Sequence, residues 1–221
     1  MNIHKEFTMG QTAFMFKIPE DLINDINTKM DEEIKNNEVK DASQQLSAKI
    51  KKEYTIMHWL PEVDKDKIFF KCVKEVLNKA QMYASFKAKS VVVDNAWIND
   101  QVEHEYQVIH RHSGQSIIGF ASILFLKVPD FGPEVNRKDL PHNGRTMLIG
   151  NCQGQFCKKN IMIQPEVGDF YIFPYDLEHM VYPFVGDGLR RSLSINYDVF
   201  HQADGKQYRA INNDNFRQVK V

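Results

Sequence analysis

Two textures divide the chain. From about residue 20 to 55, Leu22, Ile26, Met30 and Ile34 recur at every fourth position among charged and amide residues, which is the period of one helix face. Pro19 suits the start of such a helix, because the first turn does not need its missing N–H. A second helix is predicted behind Asp64, which can cap it, from the stripe Ile68, Phe69, Cys72, Val73, Val76, Leu77 and Ala80. Both stripes need a surface to cover.

From Ser90 onward, short runs rich in Val, Ile, Phe and Tyr are broken by Gly, Pro, Asn and Asp. The spans 90–98, 105–110, 116–128, 146–150, 160–164, 169–173, 178–184 and 189–198 read as strands, a set that suits a jelly roll. The polar, turn-rich stretch 129–145, PDFGPEVNRKDLPHNGR, reads as an insertion near one mouth of that barrel, where substrate contacts are often carried. The pattern thus divides the chain into a helical support over 1–89, a β core over 90–200 and a polar extension over 201–221. The fold class is mainly β with N-terminal helices.

Composition narrows the partners. The 28 basic and 29 acidic residues nearly cancel, and no block of like charge marks a nucleic-acid face or a membrane anchor. Cys72, Cys152 and Cys157 match neither a zinc ribbon nor a redox pair, so reduced thiols are expected. MNIHKEFTMGQTAF lacks the apolar core of a secretion signal, and no 18-residue apolar run follows, which predicts a soluble, cytoplasmic protein.

Three segments could carry chemistry. His110 ends the run EYQVIH, and His112 follows where the chain bends into HSG; two imidazoles so placed can converge on one metal ion, although surface histidines are commoner. His179 opens a strand after GDFYIFP, and a barrel can bring it back beside them. In LRRSLSINYD, alternation puts Arg190, Ser192, Ser194 and Asn196 on one face and Arg191, Leu193, Ile195 and Tyr197 on the other. The polar face meets either solvent or a cavity. In a cavity, the planar guanidinium of Arg190 and the hydroxyl of Ser192 would form a carboxylate clamp. Trp97 reads as core packing, Asn99 and Tyr106 as substrate-side candidates, and His104 and His142 as solvated.

The ordered segments WIND, IHRHSG, GDFYIFP, EHMVYPF and RRSLSIN resemble the iron and 2-oxoglutarate-dependent oxygenases. Within them the chain is most similar to a prolyl-hydroxylase-like group of bacteria and their phages. The resemblance covers residues 90–198. It implies a double-stranded β-helix, a cupin-like jelly-roll barrel, with Fe(II) as metal and 2-oxoglutarate as co-substrate. His110 and His179 would ligate iron, and Arg190 with Ser192 would hold the distal carboxylate of 2-oxoglutarate. Residue 112 departs from the superfamily, which usually has Asp or Glu there. His112 is taken as the third ligand; of the nearby carboxylates, Asp176 in the preceding turn is the alternative, whereas Glu178 would point to the opposite face of the strand from His179.

The implied reaction is O2-dependent hydroxylation of an amino-acid, peptidyl (prolyl included) or small-molecule substrate, releasing succinate and CO2. It would take place in the cytoplasm, that of the host if the chain is phage-encoded. The alternatives are a cupin-type three-histidine metal dioxygenase and a non-catalytic jelly-roll protein. The helical N-terminal region offers a homodimer surface as readily as a barrel support.

Overall fold

Leu193, Ile195, Tyr197 and Val199 alternate with smaller polar residues along one long strand, so one face of that strand must be covered by apolar partners. The computed structural model shows what covers it, describing residues 1–42, 49–84, 88–133, 141–152, 155, 158–201 and 218–220. The chain runs β1 (Lys5–Met9), β2 (Gln11–Lys17), α1 (Glu20–Asn36), β3 (Lys40–Asp41), β4 (Lys52–Thr55), α2 (Leu60–Val63), α3 (Ile68–Ala84) and β5 (Ala88–Gln101). It continues β6 (Gln107–His110), β7 (Gly119–Lys127), β8 (Thr146–Ile149), β9 (Asn160–Ile163), β10 (Asp169–Pro174), β11 (Glu178–Val181), β12 (Arg190–His201) and β13 (Gln218–Lys220).

Two antiparallel sheets form the barrel. The major sheet has the order β1-β2-β10-β7-β12-β5-β4-β3, with β13 also on β5, and the minor sheet has the order β6-β11-β8-β9. Strand β7 is buried on both faces, and its alternation splits the core in two. Leu124 and Leu126 join Leu193, Ile195 and Tyr197 of β12 against Ile26, Met30, Phe69, Val73 and Leu77 of the helices. Ala121, Ile123 and Phe125 point the other way, toward Leu148, Ile161 and Ile163 of the minor sheet. Each fully buried Phe or Leu contributes roughly 1.5–3 kcal/mol, so the helices are needed to keep the outer face of the major sheet dry.

The first helix is shorter than its sequence pattern predicts. It stops at Asn36 because Asn37 takes a left-handed conformation (φ 57°) and its N–H reaches back to Glu33 and Ile34 carbonyls. Ile34 is accordingly 39% exposed, and Ile23 takes its place in the buried stripe. Residues 43–48 lie outside the described set, and the end of the predicted helix is instead strand β4, paired with β5. The N-terminal region also supplies β1 and β2, so it builds the sheet as well as supporting it. Strand β13 gives the C-terminal extension a partner that its polar composition does not suggest.

The predicted cap on the second helix is present: the Asp64 carboxylate accepts from the N–H groups of Ile68 (2.6 Å) and Phe69 (3.2 Å). Burial pushes this carboxyl up to about 6 from 3.8, against the backbone donors that favour its charged form. A raised folded-state pKa gives stability that is full below the unfolded value and is lost as pH rises through the folded one. The stability of wild type relative to Asp64→Asn should therefore fall between about pH 4 and 6, as measured by denaturant midpoints.

Cys72 is free and buried, whereas Cys152 is disulfide-bonded, contrary to the expectation of reduced thiols. Spacing motifs identify metal and redox pairs, but a structural disulfide depends on the approach of Cβ atoms in the folded chain. Cys157 lies outside the described residues. No helix among the described residues is long and apolar enough to cross a membrane.

Candidate active site and metal centre

Strands β6 and β11 pair antiparallel with His179 directly opposite His110, which places their rings 4.1 Å apart between centroids. His112 follows β6 in a turn held by a bond from its N–H to the Tyr175 carbonyl (3.0 Å). Its Nε2 comes within 3.1 Å of Nε2 of His179. Nitrogen atoms of all three imidazoles lie within 4.8 Å of one another, a grouping able to hold a metal ion.

The outer nitrogens settle which ones face inward. Nδ1 of His110 donates to the Val108 carbonyl (2.8 Å) and Nδ1 of His179 to the Leu177 carbonyl (3.0 Å), so each presents a bare Nε2 to the cluster. Burial, followed by the charge of neighbouring His110, pushes the His112 imidazole down to about 4. Burial also lowers His110, and it holds His179 well below its ordinary value. The rings are therefore neutral near pH 7, as ligation requires. Lone pairs this close repel unless a cation stands between them, so the residues fit a divalent metal.

A narrow cavity opens from this cluster, and Arg190 and Ser192 are among the residues that line it. Arg190 is 1% exposed, its guanidinium donating to Gln101 Oε1 and Thr146 Oγ1 at 3.0 Å each and lying over the Phe125 ring at 5.2 Å. Its Nε–H has no partner, and no carboxylate pairs with it among the described residues. Desolvation alone pulls it down to about 10, so it stays charged at neutral pH. Two neutral hydrogen bonds stabilise by about 1 kcal/mol each, whereas an unpaired buried charge costs several kcal/mol. The pocket is therefore short of one anion, and a carboxylate held there would face the histidines.

Residues 95–196 match the family model described as "Putative 2OG-Fe(II) oxygenase". This stretch is a 2OG-Fe(II) oxygenase domain. Fe(II) and 2-oxoglutarate are the metal and co-substrate of that family, and its members are oxidoreductases. No curated protein matches the chain in sequence.

Solved structures share the fold of the oxygenase domain. A Pseudomonas putida prolyl-4-hydroxylase is similar at TM-score 0.58 and 14% identity, over 88% of this chain and 94% of that one. A Trichoplax adhaerens prolyl hydroxylase, solved with a hypoxia-inducible-factor peptide fragment, is similar at TM-score 0.56 and 12% identity, over 84% and 83%. The epimerase SnoN of nogalamycin biosynthesis is similar at TM-score 0.59 and 9% identity, over 93% and 92%. These likenesses establish the double-stranded β-helix.

The oxygenase domain differs from the sequence-based expectations at several side chains. Trp97 is buried, as core packing predicts, but joins neither apolar cluster: it lines the cavity and stacks on His112, with centroids 5.8 Å apart. Asn99 lines the cavity as expected, but Tyr106 precedes β6 and is 38% exposed. Neither nearby carboxylate joins the histidines: Asp176 is exposed, and Glu178 is exposed and faces Arg111 at 3.9 Å. His104 is exposed beside Glu103, whereas His142 packs edge-on against Tyr182.

Sequence reasoning misses Gln101 and Thr146, which hold Arg190, although β5 alternation puts Trp97, Asn99 and Gln101 on one face. It misses Asp198 too. That carboxylate accepts from the Gln115 N–H (3.0 Å) and the Tyr175 hydroxyl (3.1 Å), bracing the turn that carries His112. Asp198→Ala should weaken metal binding about 10–100-fold, read by competition with a chelator, as loss of an outer-shell support does.

Proposed function

We propose that the chain is an Fe(II)- and 2-oxoglutarate-dependent hydroxylase in which His110, His112 and His179 hold the metal and Arg190 with Ser192 holds the distal carboxylate of 2-oxoglutarate. The observation that carries this reading is Arg190: a buried cation without an acidic partner among the described residues, on the cavity that the three histidines close. When bound, iron and co-substrate supply the oxidation of an unactivated C–H bond by O2, with release of succinate and CO2. The protein's part is positional. Val108 and Leu177 carbonyls aim two imidazoles, Gln101 and Thr146 aim the guanidinium, and Phe125 and Ile123 keep water from the clamp.

The substrate end is walled by Trp97 and Ile50, with the amides of Asn99 and Gln107 beside them. It suits an amino-acid residue, free or peptidyl. The likeness to prolyl hydroxylases supports a peptidyl and prolyl class, while the likeness to SnoN shows that this fold also serves other outcomes. A three-histidine cupin dioxygenase would use the metal cluster but has no role for Arg190.

Three neutral ligands leave the dication uncompensated until the dianionic co-substrate arrives. Binding of the two should therefore be mutually reinforcing, with Fe(II) affinity rising about tenfold or more under saturating 2-oxoglutarate in anaerobic chelator competition. The deciding test is anaerobic titration of the Fe(II)-loaded protein with 2-oxoglutarate, watching for the visible charge-transfer band of the chelate. Iron that stays bound without any such band would sink the co-substrate assignment.

A further inference from the structure

An imidazole that gives one nitrogen to a metal carries its proton on the other, and that proton needs an acceptor. Two of the three histidines have a backbone acceptor: Nδ1 of His110 on the Val108 carbonyl and Nδ1 of His179 on the Leu177 carbonyl. His112 lies in a turn outside any strand, and no backbone carbonyl takes its Nδ1 among the described residues. Its Nε2 is turned toward His179, so Nδ1 points the other way. That side of the ring meets β12. Ser194 lines the cavity together with His112, Asp198 accepts from the Gln115 N–H of the His112 turn, and Asn196 stands between these two on the same face. The Asn196 side chain pairs with the His112 ring. Asn196 is 7% exposed, and its Oδ1 has no well-formed hydrogen bond to any other group among the described residues.

A neutral imidazole has one proton to place. On Nε2 of His112 it would lie between the two facing Nε2 atoms and leave two acceptors, Nδ1 and Asn196 Oδ1, opposed in a buried site. On Nδ1 it satisfies Asn196 and leaves Nε2 with the lone pair that a metal takes. The plane of the ring is fixed separately. Trp97, opposite Ser194 in the strand register, stacks on His112 with 24° between the planes. With the Asn99 amide turned so that each end meets a complementary partner, the Trp97 indole N–H donates to Asn99 Oδ1 (3.2 Å), and Asn99 Nδ2 donates to Oε2 of Glu53 (2.8 Å) on the neighbouring strand.

We propose that Asn196 is the positioning residue that makes His112 a metal ligand: its Oδ1 accepts the Nδ1–H of His112 and so holds Nε2 bare toward the other two histidines. The inference rests on the reading of the three histidines as the metal centre. A carboxylate at position 112 would need no such help, because either of its oxygens can ligate. An imidazole offers one nitrogen in one tautomer and none in the other, so the change to histidine brings a requirement that Asn196 meets from β12, the strand that also carries Arg190 and Ser192.

The test uses the full chain loaded with Co(II), a paramagnetic stand-in for Fe(II). In proton NMR the ring N–H protons of histidines on Co(II) are shifted clear of all other signals, and those held by a buried acceptor exchange slowly with water. The wild type should show three slowly exchanging ring signals. Asn196→Leu, similar in volume but without an acceptor, should lose one of them and bind Co(II) about 10–100-fold more weakly in chelator competition. Asn196→Asp keeps an acceptor and should retain all three signals and an affinity at least equal to that of the wild type. Only two signals in the wild type, three in Asn196→Leu, or an equal loss of affinity in both variants would overturn the proposal; the wild-type spectrum decides the matter even where Asn196→Leu does not fold. His112→Ala tests the underlying reading. If it keeps the wild-type affinity, His112 is no ligand and the three-histidine centre fails, whereas a weakened His112→Ala beside an unchanged Asn196→Leu removes the role of Asn196 alone.

Discussion

Arg190→Met is expected to abolish 2-oxoglutarate binding while leaving the folded protein at least as stable as the wild type. Loss of a buried charge-assisted carboxylate clamp costs about 3 kcal/mol or more, which is on the order of a 100-fold or greater rise in the co-substrate dissociation constant. Iron should still bind, because the three imidazoles are untouched. Stability should move the other way. In the free protein Arg190 has two neutral acceptors, an orphaned Nε–H and no anion among the described residues, so a side chain of similar volume and no charge relieves a cost. Arg190→Lys keeps the charge but not the planar fork, and should fall between the two. The charge-transfer titration reads the first effect and the thermal midpoint reads the second. A fall in both, with co-substrate binding reduced only in proportion to unfolding, would make Arg190 a structural residue.

The second large effect belongs to the next residue, which faces the other way. Arg191 is buried, with bidentate bonds to Asp100 (2.7 and 2.8 Å) and a further bond to Asp31 of α1 (2.7 Å). Asp31 also holds Lys127, so the network ties β5, β7 and β12 to the helix that covers them. Arg191→Ala leaves Asp100 buried without a cation, at an expected cost of about 3–5 kcal/mol. For a chain of this size that corresponds to a drop in thermal midpoint of roughly 6–20 °C. Adding Asp100→Leu removes the stranded charge, and the double variant should recover a good part of the loss. If the double variant is as unstable as the sum of the singles, the pair is not coupled in the way its geometry implies.

These neighbours show what strand alternation can and cannot reveal. Period two predicts that Arg190 and Arg191 point to opposite faces, and that Ser192 shares the face of Arg190. It does not say which face is cavity and which is helix-covered core, because that depends on sheets formed by residues far apart in the chain. The helix predicted over 20–55 fails for a related reason: its buried apolar stripe ends at Met30, and the polar tail beyond Asn37 reads as helix or strand equally well. Size and aromaticity assign Trp97 to the core, where such side chains usually sit. Its real neighbour, His112, follows it by fifteen positions and meets it only across the barrel.

Local pattern suffices for the second helix and its Asp64 cap, for the β texture from Ser90 onward and for the shared face of Arg190 and Ser192. Ordered motifs suffice for the resemblance that names iron and 2-oxoglutarate. All of these are specified by residues close together in the chain. Only the folded barrel sets His179 opposite His110, brings Gln101 and Thr146 to the guanidinium, keeps the carboxylates of the described residues away from the histidines and stands Glu53 behind Asn99. Those contacts arise from strand register and barrel closure, in which residues tens of positions apart are brought together by the burial of two apolar faces at once, and no local pattern encodes that geometry.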